Sequence, residues 1–227
     1  MAPFEDQSVP AVASLVVQAR KDVAGFPSLE SALNDPALEI CLSDKLILEL
    51  GYMLVSPRRI VISSLAAPDL RRAIVVHELR HLDQVRSGAC PRPGLSMEEN
   101  ARAVMANEAD ANAVSLLVAW EGRQDGKEAL WDALKAWDST KDIVARFEEA
   151  MTAGDGAAGA AAAAFAQWYA SEARVERYYL SSCSDYLDRE DQDHRLPSYG
   201  TLSDRYFRQL CILPGGAAYD CSDPSSR

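Results

Sequence analysis

The segment VVHELRHLDQ, residues 75–84, places two of the chain's three histidines four residues apart, with a glutamate directly after the first. Chance gives such a placement on the order of once in five hundred chains of this composition. Side chains at i and i+4 project from one face of an α-helix, so His77 and His81 can both reach one ion if this stretch is helical. On such a helix Glu78 is turned about 100° from His77. It lies beside a bound ion rather than on it, where a carboxylate can take a proton from a metal-activated water. The spacing therefore demands a helix here, and a packed scaffold to hold it.

The flanking sequence supplies both. Pro68 and Asp69 suit a first helical turn and Gly88 is a natural stop, which predicts a helix over 68–87. Upstream, LILELGYMLVSPRRIVISS (46–64) holds two β-rich runs around Ser56-Pro57-Arg58, read as two short strands and a turn, with Arg59–Ser63 the stronger strand. Downstream, CPRPG (90–94) is a rigid connection. Ser96 followed by Glu99 is then a capping box for a helix from Met97 to about Trp120, ending at Gly122.

Two histidines need a third protein ligand. In EENARAVMANEADANAV (98–114), Ala101, Val104, Met105, Ala111 and, just beyond, Ser115 define a small, mostly apolar face, and Glu108 falls on it. A buried carboxylate without a partner is costly. Glu108 therefore needs a cation or a strong donor, and a metal shared with His77 and His81 would supply one. Asn112, four residues on, is placed to hydrogen-bond a ligand histidine. Asp110 points elsewhere on this helix, and Glu98 and Glu99, the rival ligands, suit capping better.

The rest of the chain bounds the class. With 227 residues, 48% apolar and 25% charged, it is long enough for one well-buried domain with a helical extension. A net charge of −11 argues against nucleic acid as a partner, because phosphate contacts need a positive surface. The N-terminal stretch lacks a secretory pattern and no run approaches about 18 apolar residues, so no membrane association is expected and a cytoplasmic location is. Five scattered cysteines without a CxxC pair read as reduced thiols, and nothing in the sequence supports a Cys211–Cys221 link.

Further helices are expected over about 8–24, 127–137 and 140–151. The low-complexity TAGDGAAGAAAAAF is read as a connector turning into one long helix to about Leu187. From Asp188 onward the chain reads as irregular. The expected fold class is α+β, predominantly helical, in a single domain 1–227: a metal-site core of about 46–121, a helical C-terminal part of about 125–187, and a tail from 188.

HELRH followed by a helix carrying NEADAN resembles the zincin metallopeptidases, specifically the gluzincin branch whose third ligand is a glutamate. Glu108 to Asn112, E-x-x-A-N, is similar to the E-x-x-x-D and E-x-x-A-D signatures of that branch. The whole chain resembles small uncharacterised bacterial domains grouped as metallopeptidases. The match covers about Leu46 to Val118.

The resemblance implies a zincin-like core and a Zn2+ ion held by His77, His81 and Glu108, with Glu78 as general base. It implies a peptide or protein substrate paired with Arg59–Ser63 as an edge strand. It also implies a downstream donor to the oxyanion, for which His194 or Tyr179 is expected and Tyr178, Arg174 and Arg177 are alternatives. The chain departs from the pattern at Arg80, Asp83 and Asn112. Those departures leave a second reading open, a weak or inactive zinc-binding module with a regulatory or protein-binding role. A di-iron site through Glu78-x-x-His81 would need a second ExxH motif, which Asp191 and His194 in a loop do not provide.

Overall fold

The structure, a computed structural model, describes residues 9–221 apart from residue 48; the expected helix start at Ser8 lies outside them. Helix occupies 62% of the described residues and the strands form one small mixed sheet, so the molecule is α+β and predominantly helical. The elements run α1 (Val9–Asp22), α2 (Pro27–Leu33), β1 (Glu39–Ser43), β2 (Gly51–Leu54), β3 (Arg59–Ser63), α3 (Pro68–Ser87) and α4 (Met97–Gln124). There follow α5 (Ala129–Ala136), α6 (Lys141–Ala153), α7 (Gly156–Tyr169), α8 (Glu172–Gln192) and α9 (Asp204–Leu210).

The strand order is β1-β3-β2, with β1 parallel and β2 antiparallel to β3. Arg59–Ser63 is therefore the central strand, not the edge expected from the resemblance. Its Ile60, Val61, Ile62 and Ser63 are buried, as a strand paired on both sides requires. The edge facing α3 is β2. The strand that sequence reading missed, β1, is held to β3 across Glu39 and Arg59, whose ion pair is 2.5 Å long.

Pro68 opens α3 and Gly88, at φ 77°, closes it. The sheet, α2, α4 and α5 surround this helix, so Ala73, Ile74, Val75, Val76, Leu79 and Leu82 are all buried. The next helix, α4, is the centre of the helical layer and touches α3, α5, α6, α7 and α8. Its alanines let those neighbours approach closely. It begins at the expected cap, where the Ser96 side chain accepts from the Glu99 N–H at 3.2 Å. It runs through Gly122, however, and the left-handed residue beyond its end is Gly126, at φ 76°.

The expected long C-terminal helix is two helices. Ser171 caps α8 by accepting from the Arg174 N–H, while the Arg174 guanidinium donates to the Trp168 carbonyl at 2.8 Å and closes α7. The alanine run belongs wholly to α7, where Ala160, Ala161 and Ala164 pack without exposure. The tail is likewise more ordered than expected. Helix α8 continues to Gln192, α9 follows, and Tyr206 donates to the Ala103 carbonyl of α4 at 2.9 Å. Cys211 and Cys221 form a disulfide, with Cα atoms 5.9 Å apart, and Cys41, Cys90 and Cys183 lie outside it. Among the described residues no helix is long and apolar enough to cross a membrane.

Candidate metal centre

His77 and His81 lie one turn apart on α3, and Glu108 faces them from α4. His81 Nε2 is 3.1 Å from His77 Nε2 and 3.2 Å from Glu108 Oε1, while His77 Nε2 is 3.4 Å from Glu108 Oε2. The three side chains are the described His, Cys, Asp and Glu groups that converge tightly enough to share a metal ion. Each keeps 16–20% of its side-chain surface exposed, so an ion and a water can reach them.

The electrostatics match that geometry. Burial alone would raise the Glu108 carboxyl, yet His81 and His77 outweigh it and hold Glu108 well below the usual carboxylate range. Burial alone would lower His81, and the Glu108 carboxylate instead lifts it to about 9. Glu108 thus keeps a negative charge that a cation between the three groups would offset.

Glu78, beside the cluster on α3, is buried at 5% exposure against the β2 edge. Burial raises its carboxyl above the ordinary range, with the two histidines opposing and Glu108 adding to the effect. Room for it comes from Gly51 of β2. A Cβ at Gly51 would stand 2.5 Å from Ile74 Cγ2 and 3.3 Å from Glu78 Oε1. Only a glycine lets the strand and the helix meet this closely at this point.

The histidine on the second turn is braced from behind. His81 Nδ1 lies 2.8 Å from Gln84 Oε1, and Gln84 Nε2 donates to Asp110 Oδ2 at 2.6 Å and to the Asn107 carbonyl at 3.0 Å. Arg80, inside the motif, is buried and turned to the same place. It donates to Asp110 through Nε at 2.6 Å and through Nη2 at 3.0 Å, and its Nη1 reaches Asp83 at 2.5 Å. Asp83 also accepts from the Ser28 hydroxyl at 2.7 Å. Asp110, which does point away from the ligands, thus supports them indirectly. Gln84 follows His81 by three residues, a helix-face spacing that could have signalled it.

Other sequence-derived assignments need correction. Asn112 donates to the Glu108 backbone carbonyl at 2.9 Å and not to a histidine. Tyr179 is 38% exposed and bonded to Cys183. Its neighbour Tyr178 instead points inward and hydrogen-bonds to Glu108, whose charge and the burial around it push the phenol well above its ordinary range. Successive helix residues diverge by about 100°, so only one of the pair can face the cluster. His194 is exposed just past the end of α8, at φ 52°. At about 1.5 Å per residue it lies roughly 20 Å along the helix from Tyr178. Arg174 is committed to α7 and to Asp142, and Arg177 is exposed.

Two histidines a turn apart, a facing glutamate and a buried glutamate beside them are the donor set that metal-dependent hydrolases use. The profile of the Putative metallopeptidase family (DUF6782) matches residues 1–221, and the chain belongs to that family. No curated protein and no solved structure matches it.

Proposed function

We propose that this chain is a zinc-dependent peptidase with His77, His81 and Glu108 as metal ligands and Glu78 as general base. The observation that carries the reading is the close spacing of the three ligand groups. Bonds of about 2.0–2.1 Å in a tetrahedral zinc site put neighbouring ligand atoms about 3.3 Å apart. Here the two Nε2 atoms are 3.1 Å apart, and each lies within 3.4 Å of a Glu108 oxygen, His81 of Oε1 and His77 of Oε2. Two nitrogens and one carboxylate leave a fourth position for water and substrate, as catalytic rather than structural zinc sites do.

Zinc held there supplies Lewis acidity and lowers the pKa of a water at the site to about 7. Glu78, beside the two histidines, would take a proton from the water that attacks the amide carbonyl and pass it to the departing nitrogen. Tyr178 replaces Tyr179 and His194 as the donor to the oxyanion, since its hydroxyl is the one beside Glu108. The substrate lies extended along β2, which pairs with β3 on one side only among the described residues. The exposed Leu54 and Val55 at the end of that edge favour apolar substrate side chains.

The weak-module alternative drew its force from Arg80, Asp83 and Asn112. Here Arg80 bonds to Asp110, Asp83 to Ser28 and Asn112 to the Glu108 backbone carbonyl, which leaves the choice of oxyanion donor as that alternative's remaining ground. Glu78→Gln and Tyr178→Phe, each assayed for zinc content and for hydrolysis of denatured casein and a peptide library, test the proposal. Both should keep zinc, with kcat reduced about 10²-fold or more. Full activity in Glu78→Gln would sink the scheme.

A further inference from the structure

The brace behind His81 does not end at Asp110. Tyr219 donates to Asp110 Oδ1 at 2.6 Å, and Arg80 Nη2 also donates to the carbonyls of Leu210 at 2.8 Å and Ile212 at 2.9 Å. Those three tail groups flank the two halves of the disulfide: Leu210 and Ile212 adjoin Cys211, and Tyr219 precedes Cys221 by two residues. Within the closed loop the Tyr219 N–H bonds to the Cys211 carbonyl at 3.0 Å and Ile212 pairs with Ala218. The loop is thus a small rigid unit set against the back of the site. Arg80, Asp110, Leu210, Cys211, Tyr219 and Cys221 are all buried.

The orientation of Gln84 follows from the same network. Its Nε2 already has two acceptors, so its Oε1 must be the atom facing His81. His81 then donates from Nδ1 and turns Nε2 toward Glu108 and His77. In this way the choice of ring nitrogen is set by residues that touch no ligand other than His81.

We propose that Gln84 and Asp110 are positioning residues for His81, and that the Cys211–Cys221 loop holds them in place so that metal affinity depends on the oxidation state of this cysteine pair. The inference rests on the zinc reading above. In the reduction step the single S–S bond breaks. A dithiol gives up two electrons and two protons to form the two cysteine thiols, and is itself oxidised to a disulfide. With the closure gone, the Leu210 and Ile212 carbonyls and the Tyr219 hydroxyl lose their fixed separation and the Arg80–Asp110–Gln84 brace loosens.

The test uses the full chain and zinc alone, titrated against a competing chelator. Four samples are compared: oxidised wild type, wild type reduced with dithiothreitol that is removed under nitrogen, Gln84→Met, and the Cys211→Ser/Cys221→Ser double variant. Circular dichroism checks folding, a thiol count checks reduction, and the visible spectrum of the cobalt-loaded protein reports ligand geometry. Reduction and Gln84→Met should each weaken zinc binding about 10- to 100-fold and alter the cobalt spectrum. The double variant should match reduced wild type and ignore dithiothreitol. The reduced wild type carries no substitution, so a misfolded variant does not blunt the test. If oxidised wild type binds zinc but fully reduced, folded wild type binds it equally well, the inference falls and the zinc reading stands. If oxidised wild type binds no zinc, both fall.

Discussion

An arginine between the two histidines of a candidate metal site looks misplaced in one dimension. In three dimensions Arg80 leaves the ligand face and forms a buried pair with Asp110, which has no exposed surface. Burial opposes its charge, but Asp110 and then Asp83 outweigh that and raise its pKa. Removing one member of such a pair strands the other charge. Arg80→Leu should therefore destabilise the protein by about 3–5 kcal/mol in urea unfolding, and adding Asp110→Leu should recover part of the loss. A single-variant loss near zero would refute the pairing. The convergence of His77, His81 and Glu108 was legible because helix periodicity alone sets their direction, and it needed only two correctly placed helices. The partner of Arg80 was not, since it depends on how α3 meets α4. The choice of Tyr178 over Tyr179 was not either. It depends on the phase of α8, and the break at Ser171 resets that phase where the alanine-rich sequence reads as continuous helix.

Among the elements, β2 and α3 meet most tightly where Gly51 faces Ile74 and Glu78. An alanine there must displace the Ile74 branch methyl, which is held on a buried helix. Gly51→Ala should cost about 1–3 kcal/mol by overpacking and lower kcat by shifting Glu78. Thermal unfolding and kinetics together check it, and an unperturbed variant would mean that the contact has slack. The strand β1 stayed hidden because it is five residues long with Ile40 alone fully buried, a pattern too short to show alternation. At the other end of the helical layer, Arg174 bonds to Asp142 at 2.7 Å and Gln167 bonds to it at 3.1 Å. Burial would raise Asp142, and these two donors hold it below the ordinary 3.8. A carboxyl depressed by folding contributes stability above its unfolded pKa and loses it as pH falls through the folded value. Wild type should therefore be more stable than Asp142→Asn at about pH 7, with the gap closing below about pH 3. An equal gap at both pH values would rule this out.

For the whole molecule, the central fact is that the ligand cluster joins α3 to α4, the two helices around which the rest is arranged. Bound metal therefore stabilises the fold and not only the chemistry. Its contribution is about 2.7 kcal/mol when free metal is a hundred times Kd. The strand–turn–strand, the HELRH helix and its partner helix were readable because caps, glycine stops and apolar periodicity agree there. The docking of the tail was not readable. It is made by backbone carbonyls of Leu210 and Ile212 and by the hydroxyls of Tyr206 and Tyr219, which leave no pattern in composition. The most direct test of the metal centre is the zinc content of protein purified without added metal, wild type against Glu108→Ala. The wild type should carry close to one zinc per chain and the variant should lose it while remaining folded. A folded Glu108→Ala protein that keeps its full zinc would contradict the assignment of the site.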